Sequence, residues 1–535
     1  MKYIINKTGY TILLSAVLLG ACKKDFESLN TPPENPTEAP TPQVYNAIIS
    51  SLPIVSGEYS VMNSWLYPIT QQAIVTSGAY PYDNAKASVW SDYYRAMADY
   101  RLIQDRVHQE KDTTVYNNVY AMLRTVMAYS TFKVSNYYGD MPYSQAGYAP
   151  LKGASGYRAV YDKQSDVYAS ILGDLKWAVD NFSTNANQVS LGGYETFLQN
   201  DITKWTQFAN SLRLFIAVTM YDKNSSLAAT HIAEALTKPL LADGNDIGLW
   251  PTKISGLEFQ WRQWSFSANC YLRMGSTMWG LMSSNNNKDG SGIFDMRAKL
   301  FYETNNAGEW VAYPQNPTTT TPTEGGAPYS TDRFIPAPNW SKKGAGCIYS
   351  PVNLYFEQDT KSVPEPMLTA AQVHLIKAEV YNRGLGVAAN ATTAAAEYNA
   401  GIAASMNMWK GLAFNSPVWV VGKPTSATAT SAEISAVTTN PITKYDATNA
   451  SNALKQIYAQ LWIDQYRQPF DAWTLQRRTG GLTPMSTVNS GYYTANFGTY
   501  QRFVYPDDES SYNYDNWKAA TGGNDKNTTK IWIAK

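Results

Sequence analysis

The recurrence of apolar residues at Val115, Val119, Met122, Val126, Tyr129 and Phe132 constrains this chain more than any other feature. Steps of three and four residues place those side chains on one face of a 3.6-residue helix. The spacing predicts an amphipathic helix over 114–137 that must lay this face on a neighbour. The stretch 88–109 is the expected partner, joined through "EKDTT" with Asp112 or Thr113 as N-cap. The pattern returns at 164–182 and 203–221, at 365–382 and 392–411, and at 449–465 and 469–478. In the third pair Leu368, Ala371, Leu375 and Ala378 oppose Tyr398, Ile402, Met406 and Trp409. In the fourth, Leu454, Ile457, Leu461 and Trp462 line one side.

Antiparallel helices with small residues at close-packing positions cannot bury their own faces, so stacked neighbours must complete the core. The expected fold class is therefore mainly α: tetratricopeptide-like helix hairpins forming a scaffold, with long irregular loops and minor β. No clean period of about 34 residues recurs. Residues 238–364 break the pattern, being rich in Gly, Pro, Asn, Thr and aromatics, with "NPTTTTPTEGGAPYS" as a long loop. A helix is expected within this region at 268–284. Long irregular insertions on a rigid scaffold tend to carry function. A Thr/Ser/Ala-rich loop is expected at 422–447, and Tyr-rich loops at 482–535 ending in a short strand, "KIWIA".

Several polar residues read as structural. Gly139 sits where a helix must stop, and Asp140 and Pro142 then make the turn. Arg477 and Arg478 close a helix at its negative dipole end, where they could also pair with Asp507–Glu509. Trp205 and Trp462 lie within amphipathic helices and read as core.

The N-terminus carries a different signal. Lys2 and Lys7 precede an apolar run, 10–19, that is short of the roughly 20 residues a membrane span needs. A positive head, a short apolar stretch and small residues at its end read as a secretory signal. The end, "LGAC", resembles a bacterial lipobox, which makes Cys22 a lipid-bearing N-terminus after cleavage; the alternative is ordinary cleavage beside an incidental cysteine. The charged run Lys23–Glu27 resembles a surface-export signal of Bacteroidetes lipoproteins. "NTPPENPTEAPTPQ" then reads as an extended tether. The expected organisation is a signal peptide at 1–21, a lipidated tether at 22–43 and a single domain at 44–535.

Charge and motif content exclude several function classes. Lys plus Arg and Asp plus Glu number 43 each, so no basic surface for nucleic acid is expected. Cys270 and Cys347 either form one bridge or stay as two buried thiols. His108, His231 and His374 show no metal-ligand spacing, and no metal site or cofactor is expected. A calcium ion in the Asn285–Asp289 loop is left open. The glycine patterns of nucleotide sites and the hydrolase elbow GxSxG do not occur. Aromatics reach 13%, with 39 Tyr and 16 Trp. Most should pack between helices, but Tyr and Trp also suit surfaces that grip partly polar ligands.

Taken in order along the chain, a set of motifs resembles the SusD/RagB family of nutrient-binding outer-membrane lipoproteins. They are "FKVSNYYGDMPYSQA" (132–146), "ITKWTQFANSLRLFIAVTMY" (202–221), "LIKAEVYNRG" (375–384) with the helix at 395–410, "DAWTLQRRTG" (471–480) and "RFVYPDDESSYN" (502–513). Lys410 stands where the family form has glycine, and Trp532 is followed by Ile533 rather than a second tryptophan. The resemblance implies a non-catalytic cell-surface lipoprotein that captures oligosaccharides, or in some members peptides. It implies delivery to a partner TonB-dependent transporter of the SusC type.

Sugar rings stack on aromatic faces while their hydroxyls need polar partners. Aromatics in irregular segments are therefore the candidates. These are Tyr80 and Tyr82 in "SGAYPYDN", Trp261 and Trp264 in "FQWRQW", Trp310 in "GEWVAY" and Trp340 in "RFIPAPNW". The family's glycan sites lie in comparable regions. The competing reading of an enzyme, a surface glycosidase or lyase, would draw on Glu303, Glu309 and Asp507–Glu509, and needs two carboxylates about 5–10 Å apart. A structural adhesin would fit the anchor but explain neither the hairpins nor the motifs.

Overall fold

The computed structural model describes residues 39–75, 81–254, 272–322, 347–353, 359, 361–419, 422–485, 495–497 and 499–535. Among these residues, ten helices of ten residues or more dominate. They are α1 (Thr41–Ser50), α2 (Lys86–Gln109), α3 (Asn117–Tyr138), α4 (Gln164–Asn181), α5 (Ile202–Met220), α6 (Ser225–Ala235), α7 (Ala370–Arg383), α8 (Ala391–Asn415), α9 (Ala450–Asp464) and α10 (Pro469–Thr479). The packing runs α1 on α2, α2 on α3, α3 on α4, α4 on α5 and α5 on α6. The α5 helix also touches α7, which packs on α8 and α9. The hairpins read from periodicity are thus present and share one core.

Local chemistry sets the helix boundaries. Asp201, Thr369, Asn390 and Asn449 each accept a hydrogen bond from a backbone N–H in the first turn that follows, satisfying donors that have no intrahelical partner. Asp112 caps a 3-10 turn, Thr113–Tyr116, that leads into α3. Gly139 ends α3 at φ 87°, and a Cβ there would stand 3.1 Å from Ile531. The backbone therefore requires glycine, and a Cβ would also crowd Ile531.

The α7–α8 pair packs closely at Gly401. A Cβ on Gly401 would lie 2.7 Å from Leu375 Cγ and 3.3 Å from the Ala371 carbonyl. The missing side chain lets α8 settle onto the alanine face of α7. Lys410, at the position where glycine was expected, reaches Glu433 at 2.7 and 2.9 Å. Glu433 belongs to a capping box with Thr430 that starts a helix, Ser431–Thr438. The expected loop at 422–447 therefore contains a helix that Lys410 fastens to α8.

Among the described residues strands are few and short: β1 (Ile74–Val75), β2 (Met141–Pro142), β3 (Tyr161–Asp162), β4 (Ile247–Leu249), β5 (Leu272–Arg273) and β6 (Glu365–Leu368). They form three antiparallel pairs, β1–β5, β2–β3 and β4–β6. The expectation of a helix from 365 is corrected here. Pro364 and Pro366 favour extended chain, so 365–368 pairs with β4 and α7 starts only after its cap, Thr369. The helix expected at 268–284 is Ser276–Met282 within the described residues. The terminal "KIWIA" is not a strand: it turns at 532–533, with Ile531 and Ile533 buried as plugs against the core.

The two arginines of α10 also differ from expectation. Neither pairs with Asp507–Glu509. Arg478 is buried against Glu379, and Arg477 lies 3.5 Å over the Trp473 ring and donates to the Gln501 carbonyl at 2.7 Å. Trp205 and Trp462 are fully buried, as core residues should be.

Candidate functional site

Four stretches far apart in sequence meet in one small strand network. β1 pairs with β5 through Ile74 with Arg273 and Val75 with Leu272. Arg273 bridges to Pro351, Gly275 to Tyr313, and Tyr302 to Val352. Met274 N–H donates to the Ser350 carbonyl at 2.9 Å, and Ser350 N–H to that of Val311 at 2.8 Å. This network gathers the residue before 76–80, the residue after 255–271, the segment holding Trp310, and the segment that follows 323–346.

The turn leading into β1 is held firmly. Gln71 is fully buried with φ 60°, a backbone state that costs a non-glycine residue on the order of 1 kcal/mol. Neighbouring contacts hold it there. Thr277 donates to Gln71 Oε1 at 2.7 Å, Gln72 Nε2 to the carbonyls of Trp462 and Gln465, and Trp462 Nε1 to that of Thr70 at 2.8 Å. The end of α9 thus positions the turn from which β1 and the following loop depart.

An aromatic cluster stands where 81–85 and 495–500 meet the first helices. Trp65 sits in a π-helical turn, Met62–Leu66, a local form common at functional sites. Its ring meets Tyr500, Tyr82 and Phe497 edge-on, at 5.1, 5.7 and 6.1 Å between centroids. Trp65, Phe497 and Tyr500 are partly exposed. Tyr82 is only 6% exposed: Tyr500 stacks on it at 4.0 Å, Phe503 touches its edge, and its hydroxyl donates to the Arg502 carbonyl. Burial pushes that hydroxyl far above the usual tyrosine range. Tyr82 therefore backs the cluster, with its neighbours on the surface.

Trp310 is partly exposed and stacks on Trp279, 6.2 Å between centroids at 15°. Its backbone N–H donates to the Lys288 carbonyl at 2.7 Å. Gly290 lies against the ring edge, where a Cβ would come within 2.7 Å of Cδ1. The loop that frames Trp310 closes on itself: Asn285 Oδ1 accepts from Asn287 N–H and Asp289 Oδ1 from Ser291 N–H, each at 2.9 Å. Among the described residues no group of three or more His, Cys, Asp or Glu side chains is disposed to hold a metal ion.

A family model described as starch-binding, associating with the outer membrane, matches residues 41–506. The chain belongs to this SusD-like family. Solved structures share its fold. A chitin-binding protein has 19% identity and a TM-score of 0.70, over 93% of this chain and 100% of that one. A SusD homologue from Parabacteroides distasonis has 20% identity and a TM-score of 0.67, over 92% of this chain and 98% of that one. One from Bacteroides thetaiotaomicron has 18% identity and a TM-score of 0.62, over 92% and 99%. No curated protein matches the chain. No helix among the described residues is long and apolar enough to cross a membrane.

In this SusD-like chain, Tyr80, Trp261, Trp264 and Trp340 lie outside the described residues, as do Cys22 and Cys270. Cys347 is buried. Nothing in the sequence pattern singles out Trp65, Phe497 and Tyr500. Trp65 lies in a helical stretch, and the tail reads from sequence only as Tyr-rich. Three carboxylates of the glycosidase reading are engaged elsewhere. Glu309 pairs with Lys288 at 3.1 Å, Asp507 with Lys86 at 3.0 Å, and Glu509 accepts from Tyr161 at 2.6 Å and Trp90 at 3.3 Å.

A separate cavity under residues 51–61 is structural in character. Its free space, about 40 Å³, suits water rather than a sugar ring, since ligand pockets run to about 300–1,000 Å³. Glu58 accepts from Lys133 and Tyr137 at 2.7 Å each, and Glu365 from Tyr59 at 2.7 Å and Ile54 N–H at 3.1 Å. Asp471 accepts from Gln468 at 3.0 Å. Burial pushes Asp471 up to about 7, with Glu58 adding to it and Lys133 and Gln468 opposing. Glu58 and Glu365 fasten the segment at 54–59 to α3 and β6.

Proposed function

We infer that this SusD-like protein is a non-catalytic receptor, lipid-anchored through Cys22 at the outer surface of the outer membrane. It captures oligosaccharides and passes them to a SusC-like TonB-dependent transporter. The observation that carries the reading is the strand network. Its β1–β5 pairing joins the roots of the segments bearing Tyr80, Trp261 and Trp264, with the Trp310 segment and the chain leading from Trp340 alongside. Partly exposed Trp65, Phe497 and Tyr500 extend the same chemistry: apolar ring faces beside polar side chains. The family description as starch-binding and outer-membrane-associated supports it at the level of class.

Calorimetric titration with a panel of neutral oligosaccharides and peptides tests the ligand. Heat with a glycan is expected. Heat with peptides alone would favour the peptide-binding alternative, and release of shorter products would favour a glycosidase. Affinity capture of the native lipoprotein from outer membranes tests the partner, with a large β-barrel transporter as the expected companion.

A further inference from the structure

A second cleft, of about 420 Å³, opens where β4 and β6 meet the C-terminal half of α8 and the first turn of α5. Its volume falls in the range of small-molecule sites, about 300–1,000 Å³. Its floor is a close strand contact. The β4–β6 register shifts between Ile247 and Gly248, and a Cβ on Gly248 would lie 2.8 Å from the Glu365 carbonyl. Only glycine lets the two strands approach this far.

The lining is chemically uneven. Lys204 and Lys253 both reach the cleft, and neither forms an ion pair among the described residues. Lys204 is half-buried and Lys253 exposed; burial first, and then the charge of Lys253, lower the pKa of Lys204, while Asp246 and Asp201 oppose the shift. The charge of Lys253 adds to the cost of burying Lys204, and Asp246 and Asp201 offset that cost only in part, so a further anion in the cleft is favoured. The nearby carboxylate, Asp246, already commits one oxygen to Ala370 N–H at 2.9 Å, capping α7. Its other oxygen remains as an acceptor. Asn407 gives its Oδ1 to Ala429 N–H at 2.8 Å, which leaves its Nδ2 hydrogens as donors. Partly buried Trp250 and Met408 supply apolar area.

We propose that this cleft is a second ligand site, selective for an acidic saccharide. Lys204 and Lys253 grip the carboxylate of a hexuronate unit, Trp250 packs on its C–H face, and Asn407 and Asp246 meet its hydroxyls. The site is distinct from the aromatic face at the loop roots and shares no described residue with it. It adds a charged sugar to the neutral ones inferred above.

Titration of the full chain with tri-galacturonate, maltotriose and inorganic phosphate tests this. Tri-galacturonate should bind, and more tightly than phosphate. The double variant K204M/K253M keeps the side-chain stems and removes the charges. It should weaken tri-galacturonate at least about tenfold, without lowering the melting temperature or changing any binding of maltotriose. Trp65→Ala, at the other face, should leave tri-galacturonate binding in place. Absence of tri-galacturonate binding, or binding that the double variant does not weaken, overturns the proposal. Phosphate binding as tight as tri-galacturonate overturns the saccharide class, and loss of tri-galacturonate binding in Trp65→Ala alone moves the acidic sugar to the loop face. None of these results depends on whether neutral glycans bind.

Discussion

Glu379 of α7 and Arg478 of α10 face each other inside the protein, with contacts of 2.7 and 3.0 Å between carboxylate and guanidinium. Arg383 adds a second cation at 2.7 Å, and Tyr458 donates its hydroxyl at 2.8 Å. Burial works against the charge on Glu379, yet the arginines hold its carboxyl below the usual range. Removing one member strands the other in a dry interior, at a cost of about 3–5 kcal/mol. Glu379→Gln or Arg478→Met should therefore lower the urea midpoint sharply. A joint replacement of both by apolar residues should lose much less than the sum of the single changes. If the single variants unfold like the parent, the pair does not join these helices.

The fit of α8 on α7 gives a contrast between two glycines of one helix. Glycine in a helix interior normally costs about 1 kcal/mol against alanine. At Gly411 a Cβ would meet only the Ala427 carbonyl, at 3.4 Å, so Gly411→Ala should recover part of that. At Gly401 it would press on Leu375 and Ala371, so Gly401→Val should instead lose about 1–3 kcal/mol by overpacking. Denaturant titrations of the two variants should shift in opposite directions.

Periodicity made the hairpins legible because each helix repeats its apolar step many times over. What it does not encode is the partner. Arg478 looked like a dipole-complementing end residue because Glu379 is distant in sequence. Tyr82 looked like a loop aromatic because Pro81 and Asn84 flank it, but Tyr500 and Arg502 cover it from the far end of the chain. Residues 365–368 follow the apolar spacing of α7 and read as its first turn, although Pro364 and Pro366 favour the strand. The locking of β1 rests on Gln72 and Trp462, 390 positions apart, a contact that no local pattern announces. The candidate site was legible as a class of segment, aromatic and irregular, and not as a surface, since Trp65 reaches it from within a helical run.

Asp471 makes stability depend on pH in an unusual direction for a carboxylate. Its folded pKa, about 7, lies above the unfolded value, so between about pH 4 and 7 the folded state binds more protons than the unfolded one. Its contribution is fully present below the unfolded pKa and is lost as pH rises through 7. Asp471→Asn removes the ionisation and can still accept from Gln468. The stability of the variant relative to the parent should rise from pH 5 to pH 8, by an amount on the order of 1 kcal/mol or more. Paired melting curves at the two pH values measure this, and a constant offset would rule Asp471 out as the titrating group.

The partly exposed rings at the loop roots carry the last expectation, which rests on the proposed glycan function. Trp65 presents its ring beside Phe497 and Tyr500, so Trp65→Ala removes apolar area from that surface while the helix around it remains. Affinity for a neutral oligosaccharide should fall about tenfold, roughly 1.4 kcal/mol. Trp310→Ala should act in the same direction if the sugar spans both rings. Tyr82→Phe provides the control, because Tyr82 lies behind Tyr500 and its hydroxyl serves only the Arg502 carbonyl among the described contacts. It should lower stability slightly and leave affinity unchanged. Calorimetry on the three variants separates the outcomes: equal affinities throughout would place the sugar away from this face.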